Sequence, residues 1–321
     1  SVGNQGLFNR GGEVLKTLLC VAALALSVSA EGNESDTSCR GELSKAAAEC
    51  DTRPRLPFFA CVALTSPHDP RTPPAEYRAL YEPARLSLPA NFRSEHPFDN
   101  GALDIRDERL APRPLDPATM REHLADYFGM ISHHDAWIGH VLAALRETGQ
   151  AERTVVAYVS DHGLALGSHG LLGKQNLYDH SVRVPFILRG PGVPRGVRND
   201  ALVYSLDLYA TLCQIAGLVA PVGLESRSLT RAFAAGAPPI RDALWAAYMD
   251  CQRMVTDGRW KLIVYRVNGA ERVQLFDLER DAHERHDLAL PPGPDAAARR
   301  VIKRLAARLG DWQAQSGDRW M

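Results

Sequence analysis

Two polar loops carry the residues that are best suited to chemistry in this chain. His68 follows the apolar run 58–64, and the adjacent pair Asp161 and His162 follows the β-branched run 154–159. A carboxylate and an imidazole held side by side at a strand end suit a divalent cation, because both offer lone pairs at little entropic cost. The pair therefore predicts part of a metal site, although most adjacent Asp and His residues are surface groups or helix caps.

A glycine-rich segment follows this pair and ends in a cation. Its glycines would let the backbone approach a ligand closely, and Lys174 would place a positive charge over whatever the loop encloses. The glycines are Gly163, Gly167, Gly170 and Gly173. Together with His68, these residues predict an anionic substrate beside a metal ion. In the alternative interpretation, Lys174 is solvated and the glycines only permit turns.

Strands and helices must hold these loops in place. The runs 58–64 and 154–159 are typical of strands buried in a parallel sheet, and 184–188 predicts another such strand. Apolar residues at helical spacing predict a helix over 120–147, and a shorter helix is predicted at 206–215. This order predicts an α/β fold with a largely parallel sheet flanked by helices. In such sheets, ligands bind at the carboxyl ends of the strands.

Two later segments depart from this pattern. Residues 77–117 are rich in proline and charge, which predicts a long surface excursion. Short strands between residues 252 and 276, separated by Asp-Gly and Asn-Gly turns, predict a smaller antiparallel sheet, and Asp295 is the predicted N-cap of a closing helix. We therefore divide the chain into a divergent N-terminal segment 1–54, an α/β domain 55–233 and a C-terminal subdomain 234–321.

The composition bounds the class of protein. Lysine and arginine total 37 against 38 aspartates and glutamates, so the net charge is -1. No overall field would recruit nucleic acid or an anionic membrane, and we expect no nucleic-acid partner. A chain of 321 residues can bury a core without disulfides, so the pairing of its six cysteines stays open. The oligomeric state leaves no signal in the sequence.

An apolar stretch that carries no charge from residue 17 to residue 30 lies near the start of the chain. Residues 14–30 contain Lys16 and end in Val28-Ser29-Ala30, a pattern that is typical of a signal peptide and its cleavage site. The stretch is too short to span a bilayer, which takes about 20 apolar residues, and we predict no stable membrane span. If it is a signal peptide, the protein is exported or periplasmic. If it is instead a buried helix of alanine and leucine, the protein is cytoplasmic.

The segment after residue 160 resembles a known family. Four pieces are similar, in this order, to a signature of the sulfatases in the alkaline phosphatase superfamily. They are Ser160-Asp161-His162-Gly163, Leu166-Gly167-Ser168-His169-Gly170-Leu171-Leu172-Gly173-Lys174, Arg183-Val184-Pro185-Phe186-Ile187 and Gly190-Pro191-Gly192. Ser66-Pro67-His68-Asp69-Pro70 resembles the histidine loop of the family. The resemblance covers residues 55 to 290 and is strongest to arylsulfatase-like and choline-sulfatase-like members.

The resemblance implies a sulfuric ester hydrolase that binds calcium or another divalent cation and acts on a small-molecule or glycan sulfate ester. It implies that Asp161 and His162 are two of the metal ligands. It also implies that Lys174 contacts the sulfate and the leaving oxygen, and that His68 hydrogen-bonds the sulfate or protonates the departing alcohol. Such groups stabilise the charge that develops on these oxygens more strongly in the transition state than in the ground state.

The sequence departs from the family at the nucleophile. Members carry a Cys or Ser in a C/S-x-P/A-x-R motif that is oxidised to formylglycine, and neither 50–53 nor 87–91, the nearest segments, fits it. The early paired aspartates of the metal site are also missing, so we expect an N-terminally incomplete chain that is inactive or impaired by itself. Two alternatives stay open. One is a non-catalytic relic or anion-binding module, and the other is a phosphonate or phosphodiester hydrolase of the same superfamily.

Overall fold

A four-stranded sheet carries the loops that are expected to do chemistry. The computed structural model describes residues 20–26, 57–234, 236–290 and 293–320. The strands are β1 (Cys20–Leu26), β2 (Phe59–Cys61), β3 (Thr154–Ser160) and β4 (Phe186–Arg189), in the spatial order β2-β1-β3-β4. β1 pairs in parallel with β2 and β3, whereas β4 pairs antiparallel with β3.

The α/β class is therefore confirmed, but the expectation of a largely parallel sheet is not. The strand predicted at 184–188 is β4, and it runs in the opposite direction from β3. A parallel return needs a crossover that is usually helical. The connection from β3 to β4 contains only one helix of four residues, Asp179–Val182. The chain therefore does not cross to the other end of the sheet, and β4 runs antiparallel beside β3.

The apolar stretch near the start of the chain forms a strand. β1 pairs with β3 from Cys20 opposite Thr154 to Leu26 opposite Ser160, and it lies between β2 and β3. The expectation of a buried helix is wrong for these residues, because a short apolar run without a period fits a central strand equally well. Cleavage of a signal peptide after residue 30 would remove this strand. The rest of segment 14–30, most of segment 1–54 and residues 50–53 lie outside the described residues.

Two further expectations are wrong for reasons of packing. β2 was expected to be buried on both faces, but it lies at the edge of the described sheet and Phe59 is 67% exposed. The segment 77–117 is not only a surface excursion, because Ala111 and Leu115 pack with Met120 in a buried cluster. Its charged residues can be buried as well where hydrogen bonds and ion pairs satisfy them.

Five α-helices are described. They are α1 (Ala75–Arg78), α2 (Pro117–Glu147), α3 (Asp179–Val182), α4 (Asp207–Ile215) and α5 (Ala296–Ser316). The predicted long helix is confirmed as α2. It begins at Asp116, whose side chain accepts a hydrogen bond from the Thr119 amide at 2.8 Å, and it is followed by Gly149 with φ +69°. No helix in the described part of the chain is both long and apolar enough to cross a membrane.

The predicted C-terminal antiparallel sheet is also confirmed. Its strands follow one another as β5 (Leu244–Tyr248), β6 (Gln252–Thr256), β7 (Trp260–Val267) and β8 (Ala270–Asp277). The sequence analysis missed β5. Asn268 and Gly269 both have positive φ in the turn between β7 and β8, as an Asn-Gly hairpin requires. α5 packs on this sheet through Leu305 and Leu309, which lie in one buried cluster with residues of β7 and β8.

The loop between β3 and α3 shares a buried core with the C-terminal sheet. Leu171, Leu177 and Tyr178 from the loop before α3 pack with Ile263 of β7 and Phe276 of β8. This contact places the C-terminal sheet directly behind the loop that carries Lys174. The division of the chain at residue 233 stays a prediction.

Candidate active site

The two predicted loops leave the sheet at the same end, where the parallel strands have their carboxyl termini. Because β1 is parallel to both β2 and β3, the carboxyl ends of these two strands point the same way. His68 lies in the turn after β2, and Asp161 and His162 follow β3 directly. The segment 163–174 then returns from the end of β3 towards His68.

The structure brings His68 and Lys174 into contact, although they are far apart in the chain. The Lys174 Nζ atom lies 3.1 Å from His68 Nε2. The His68 Nδ1 atom lies 2.7 Å from the backbone oxygen of Asp69 and must donate to it, because a carbonyl can only accept. Nε2 therefore carries a lone pair and accepts the hydrogen bond from the lysine ammonium. The contact joins a cation to a group that can take up or release a proton.

A buried carboxylate that sequence analysis missed lies close to this lysine. Asp107 Oδ2 lies 4.0 Å from Lys174 Nζ and accepts a hydrogen bond from Gln175 Nε2 at 2.9 Å. Arg106 bridges two carboxylates, with Nη1 3.2 Å from Asp107 Oδ1 and Nη2 2.6 Å from Asp69 Oδ2. The Asp69 and Asp107 side chains are only 2% and 8% exposed. The alternating charges of residues 104–109 were the available signal for this network.

A second missed carboxylate fixes the backbone in front of Lys174. Glu108 accepts hydrogen bonds from the amides of Leu172 at 2.8 Å and Gly173 at 2.9 Å, and Arg113 Nη2 lies 2.6 Å from its Oε2. Burial raises the pKa of Glu108, while the two amides and Arg113 act in the opposite direction. Because the two backbone amides just before Lys174 are hydrogen-bonded to Glu108, the position of the lysine backbone is fixed.

Asp161 and His162 form a pair of converging donor atoms. His162 Nδ1 lies 2.9 Å from the carbonyl of Gly163 and donates to it, which leaves a lone pair on Nε2 of the neutral ring. Nε2 lies 3.5 Å from Asp161 Oδ2. An imidazole whose other nitrogen donates to a backbone carbonyl is the usual arrangement of a metal-binding histidine.

These two residues fit a divalent cation as part of its ligand set. Within the described ranges, no group of three or more His, Cys, Asp or Glu residues is arranged to hold a metal ion. No hydrogen bond or ion pair between described residues joins this pair to His68 and Lys174. The chemistry of the donors fits a cation, but two ligands do not by themselves complete a site.

The glycines act differently from the expectation. A Cβ on Gly163 would meet the backbone oxygen of His180 at 2.0 Å, and one on Gly170 would meet the backbone of Glu95 at 2.2 Å. Gly170 also has φ +74°. These two glycines allow the loop to pack against other parts of the protein, so their presence does not indicate a close approach to a ligand.

Three histidines near the motif lie in a buried aromatic cluster. The His169 ring stacks on Tyr178, with centroids 3.9 Å apart, and His180 lies 5.6 Å from the same tyrosine. The third, His96, has Nε2 3.1 Å from the Tyr178 hydroxyl. Burial lowers the pKa of His169 to about 3 and that of His96 to about 4. A further histidine, His134, is buried on α2.

The family of the chain follows from comparison with known proteins. Residues 26–218 match the family model described as Sulfatase, and residues 167–315 match the one described as N-sulphoglucosamine sulphohydrolase, C-terminal. The first match covers more than half of the chain. The chain belongs to the sulfatase family, within the alkaline phosphatase superfamily. The matched region extends beyond the resemblance at 55–290 in both directions and includes the end of β1.

Two curated relatives illustrate the match. The chain is 28% identical over 298 residues to the multifunctional alkaline phosphatase superfamily protein PehA of Trinickia caryophylli, covering 82% of this chain and 57% of PehA. It is 29% identical over 245 residues to an arylsulfatase of Clostridium perfringens, covering 72% and 49%. The chain thus spans about half the length of these relatives.

Two solved structures share the fold. One protein, solved in complex with its substrate D-glucosamine-2-N,6-O-disulfate, matches with a TM-score of 0.72 at 17% identity and covers 94% of this chain and 80% of its own. The phosphonate monoester hydrolase of Silicibacter pomeroyi matches with a TM-score of 0.71 at 24% identity, covering 90% and 64%. At these identities the likeness establishes the alkaline phosphatase-like fold.

Proposed function

We propose that this chain carries part of a site that hydrolyses sulfate esters. The observation that supports this most directly is the 3.1 Å contact between Lys174 Nζ and His68 Nε2. It lies at the end of the sheet where Asp161 and His162 follow β3. Membership of the sulfatase family makes a sulfuric ester the favoured substrate class. The relative solved with a glucosamine disulfate supports a sulfated glycan as one form of it, beside a small-molecule ester.

The roles follow from the chemistry of the two side chains. The Lys174 ammonium donates hydrogen bonds and can bind the anionic oxygens of a sulfate group. When the ester bond to sulfur breaks, the alkoxide that departs needs one proton. His68 can supply it from Nε2 once that atom has taken up a proton, because Nε2 of the neutral ring carries only a lone pair. In the resulting imidazolium, Nδ1 still donates to the Asp69 carbonyl.

Asp161 and His162 would hold a calcium ion or another divalent cation together with ligands from elsewhere. When bound, such an ion stabilises negative charge on the sulfate oxygens. Calcium takes about 6–8 oxygen ligands, so this pair alone should bind it weakly. We expect calorimetry with calcium chloride to show at most weak binding, which is lost in Asp161→Asn. Tight binding would contradict this ligand set.

We further propose that the nucleophile is not supplied by this chain, because its sequence contains no C/S-x-P/A-x-R motif. Purified alone, the chain should hydrolyse 4-nitrophenyl sulfate no faster than its Asp161→Ala variant, with and without calcium. An active arylsulfatase assayed in parallel serves as the control. Metal-dependent turnover that disappears in Asp161→Ala would show that another residue acts as the nucleophile.

Phosphonate or phosphodiester hydrolysis is the second candidate. It is favoured by the likeness of the fold to the phosphonate monoester hydrolase of Silicibacter pomeroyi. Binding of 4-nitrophenyl sulfate and 4-nitrophenyl phenylphosphonate to the chain can be compared by calorimetry, with Lys174→Ala as the control variant. Tighter binding of the sulfate supports the first proposal, and tighter binding of the phosphonate supports the second.

The non-catalytic alternative needs a different test. The coding sequence upstream of Ser1 can be read for a C/S-x-P/A-x-R segment preceded by paired aspartates. If both are present, the longer product should hydrolyse 4-nitrophenyl sulfate and lose that activity in Lys174→Ala. A relic or anion-binding module would bind the ester without turnover.

A further inference from the structure

A second basic site lies in a cavity that shares no lining residue with the site above. The cavity is open, has a volume of ≈ 450 Å³ and is lined by five polar residues. They are Gln214, Arg227, Ser228, Thr230 and Arg231. Cavities of about 300–1,000 Å³ are typical of small-molecule sites.

The two arginines of this cavity converge on one backbone oxygen. The Ile240 carbonyl accepts a hydrogen bond from Arg227 Nη1 at 2.8 Å and from Arg231 Nη2 at 3.2 Å. Arg231 Nη2 also lies 3.2 Å from the Pro239 carbonyl. Two guanidinium groups are therefore held next to each other by neutral carbonyls. Both arginines are exposed, so that solvent also screens the repulsion between their charges.

No carboxylate of the described residues neutralises these charges. Neither arginine has a described carboxylate oxygen within 4.0 Å. The buried carboxylate nearby, Asp207, is already paired with Arg241, whose Nη2 lies 2.7 Å from Asp207 Oδ1. The cavity consequently carries two positive charges that an anion could balance.

The cavity wall is also held in place before any ligand binds. Asp207 Oδ1 accepts a hydrogen bond from the Arg227 amide at 2.8 Å, and the Leu229 amide donates to Thr211 Oγ1 at 2.9 Å. The hydroxyls of Ser228 and Thr230 lie 3.1 Å apart. A site whose donors are already ordered loses little entropy when it binds a ligand.

We propose that this cavity binds a sulfate group at a place separate from the candidate active site. The forked N–H donors of guanidinium groups match the oxygens of a tetrahedral oxyanion, and the hydroxyls of Ser228 and Thr230 and the amide of Gln214 can donate to the remaining oxygens. The group is either free inorganic sulfate or a sulfo group on a saccharide. A sulfated saccharide held here would be a second point of attachment for a glycan.

The test is calorimetry with sodium sulfate, with D-glucosamine-2-N,6-O-disulfate and with unsulfated glucosamine. To keep it independent of the proposed function, all titrations use the His68→Ala/Lys174→Ala background. We expect sulfate or the disulfate to bind, glucosamine not to bind, and Arg227→Gln/Arg231→Gln to weaken the binding at least 10-fold. Tighter binding of the disulfate identifies a glycan ligand, and binding of sulfate alone identifies the free anion.

The matched control is Arg195→Gln/Arg198→Gln, which removes two exposed arginines and the same charge. It should leave the affinity unchanged. An equal loss of affinity in this control would show that binding depends only on the net charge of the protein, and it would overturn the proposal. The absence of binding in the background variant would overturn it as well, while leaving the proposed function intact. If the double variant unfolds in urea at a lower midpoint, the single variant Arg231→Gln replaces it. Among the described residues, the hydrogen bonds of that guanidinium go to two carbonyls, those of Pro239 and Ile240.

Discussion

Lys261 shows how a single residue can join α3 to the C-terminal sheet. It lies in β7 with 1% of its side chain exposed, which is unusual for an amine. Its Nζ atom donates to Asp179 and lies 2.6 Å from Glu284 Oε1, and Glu284 in turn accepts from the Asp179 amide at 2.8 Å. Burial alone would lower the pKa of Lys261, but the two carboxylates outweigh it and raise that pKa. The lysine therefore stays charged and links α3 to the C-terminal sheet.

Replacing this lysine should destabilise the protein strongly. Lys261→Met leaves the buried Glu284 carboxylate without its cation, whereas Asp179, 20% exposed, keeps Arg183 at 3.7 Å. Breaking a buried pair costs about 3–5 kcal/mol. Urea unfolding at pH 7 measures the loss. Lys303→Met, a matched change of an exposed lysine on α5, should stay within about 0.5 kcal/mol of the wild type. A loss below about 1 kcal/mol in Lys261→Met would contradict a stabilising role.

At the scale of elements, α5 closes the C-terminal sheet. It begins after Asp295, whose Oδ1 accepts a hydrogen bond from the Ala298 amide at 2.7 Å, and it ends at Gly317 with φ +70°. Leu305 and Leu309 then lie one turn apart on the buried side. The cap and the apolar stripe specify the same helix, so the sequence predicted its start correctly.

The cap makes a measurable contribution. Asp295→Ala removes the acceptor for the Ala298 amide and should lower the free energy of unfolding by about 1 kcal/mol. Asp311→Ala, made at an exposed position within the same helix, is the control and should change it by less than about 0.5 kcal/mol. Thermal unfolding followed by circular dichroism gives both values, and equal losses in the two variants would argue against capping.

At the scale of the whole molecule, a buried polar cluster joins the loop before α3 to the C-terminal sheet. The Tyr178 hydroxyl lies 2.6 Å from Gln274 Oε1, which also accepts from the Tyr265 hydroxyl at 2.8 Å. His96 contacts the same Tyr178 hydroxyl, and His169 stacks on its ring. Because both histidines are buried, they stay neutral in the folded protein at pH values where they ionise in the unfolded chain.

Acidification should therefore destabilise the fold. The folded pKa values of His96 and His169, about 4 and about 3, lie below the ordinary value of 6.5. The unfolded chain thus binds more protons below pH 6.5, and the free energy of unfolding falls with pH from about 6.5 down to about 4. Each histidine contributes up to about 1.4 kcal/mol per pH unit in that window.

A variant can separate this effect from general acid unfolding. His169→Phe keeps a ring against Tyr178 but cannot be protonated, so it should reduce the slope between pH 6.5 and 4.5 by up to about one proton. His140→Phe, at an exposed position of α2, is the matched control for the exchange of an imidazole for a phenyl ring. Urea titrations at four pH values measure the slopes, and an unaltered slope in His169→Phe would mean that this ring does not titrate as expected.

The sequence by itself determined the elements that depend on local patterns. Helical spacing and a capping aspartate specify α2 and α5, and the Asn268-Gly269 turn specifies the hairpin of β7 and β8. The ordered motif from Ser160 to Lys174 was sufficient to identify the family. These features can be predicted from the sequence because each depends on residues that lie close together in the chain, where spacing and side-chain chemistry act directly.

Only the tertiary structure decided which distant groups meet. It placed residues 20–26 as a central strand, since the same apolar run suits a helix or a strand until its partners are known. It also showed that β4 runs antiparallel to β3. Asp107 and Glu108, from a charged segment far away in the chain, lie against the loop that carries Lys174. Burial of these carboxylates depends on donors far away in the chain, and no local pattern records such a pairing.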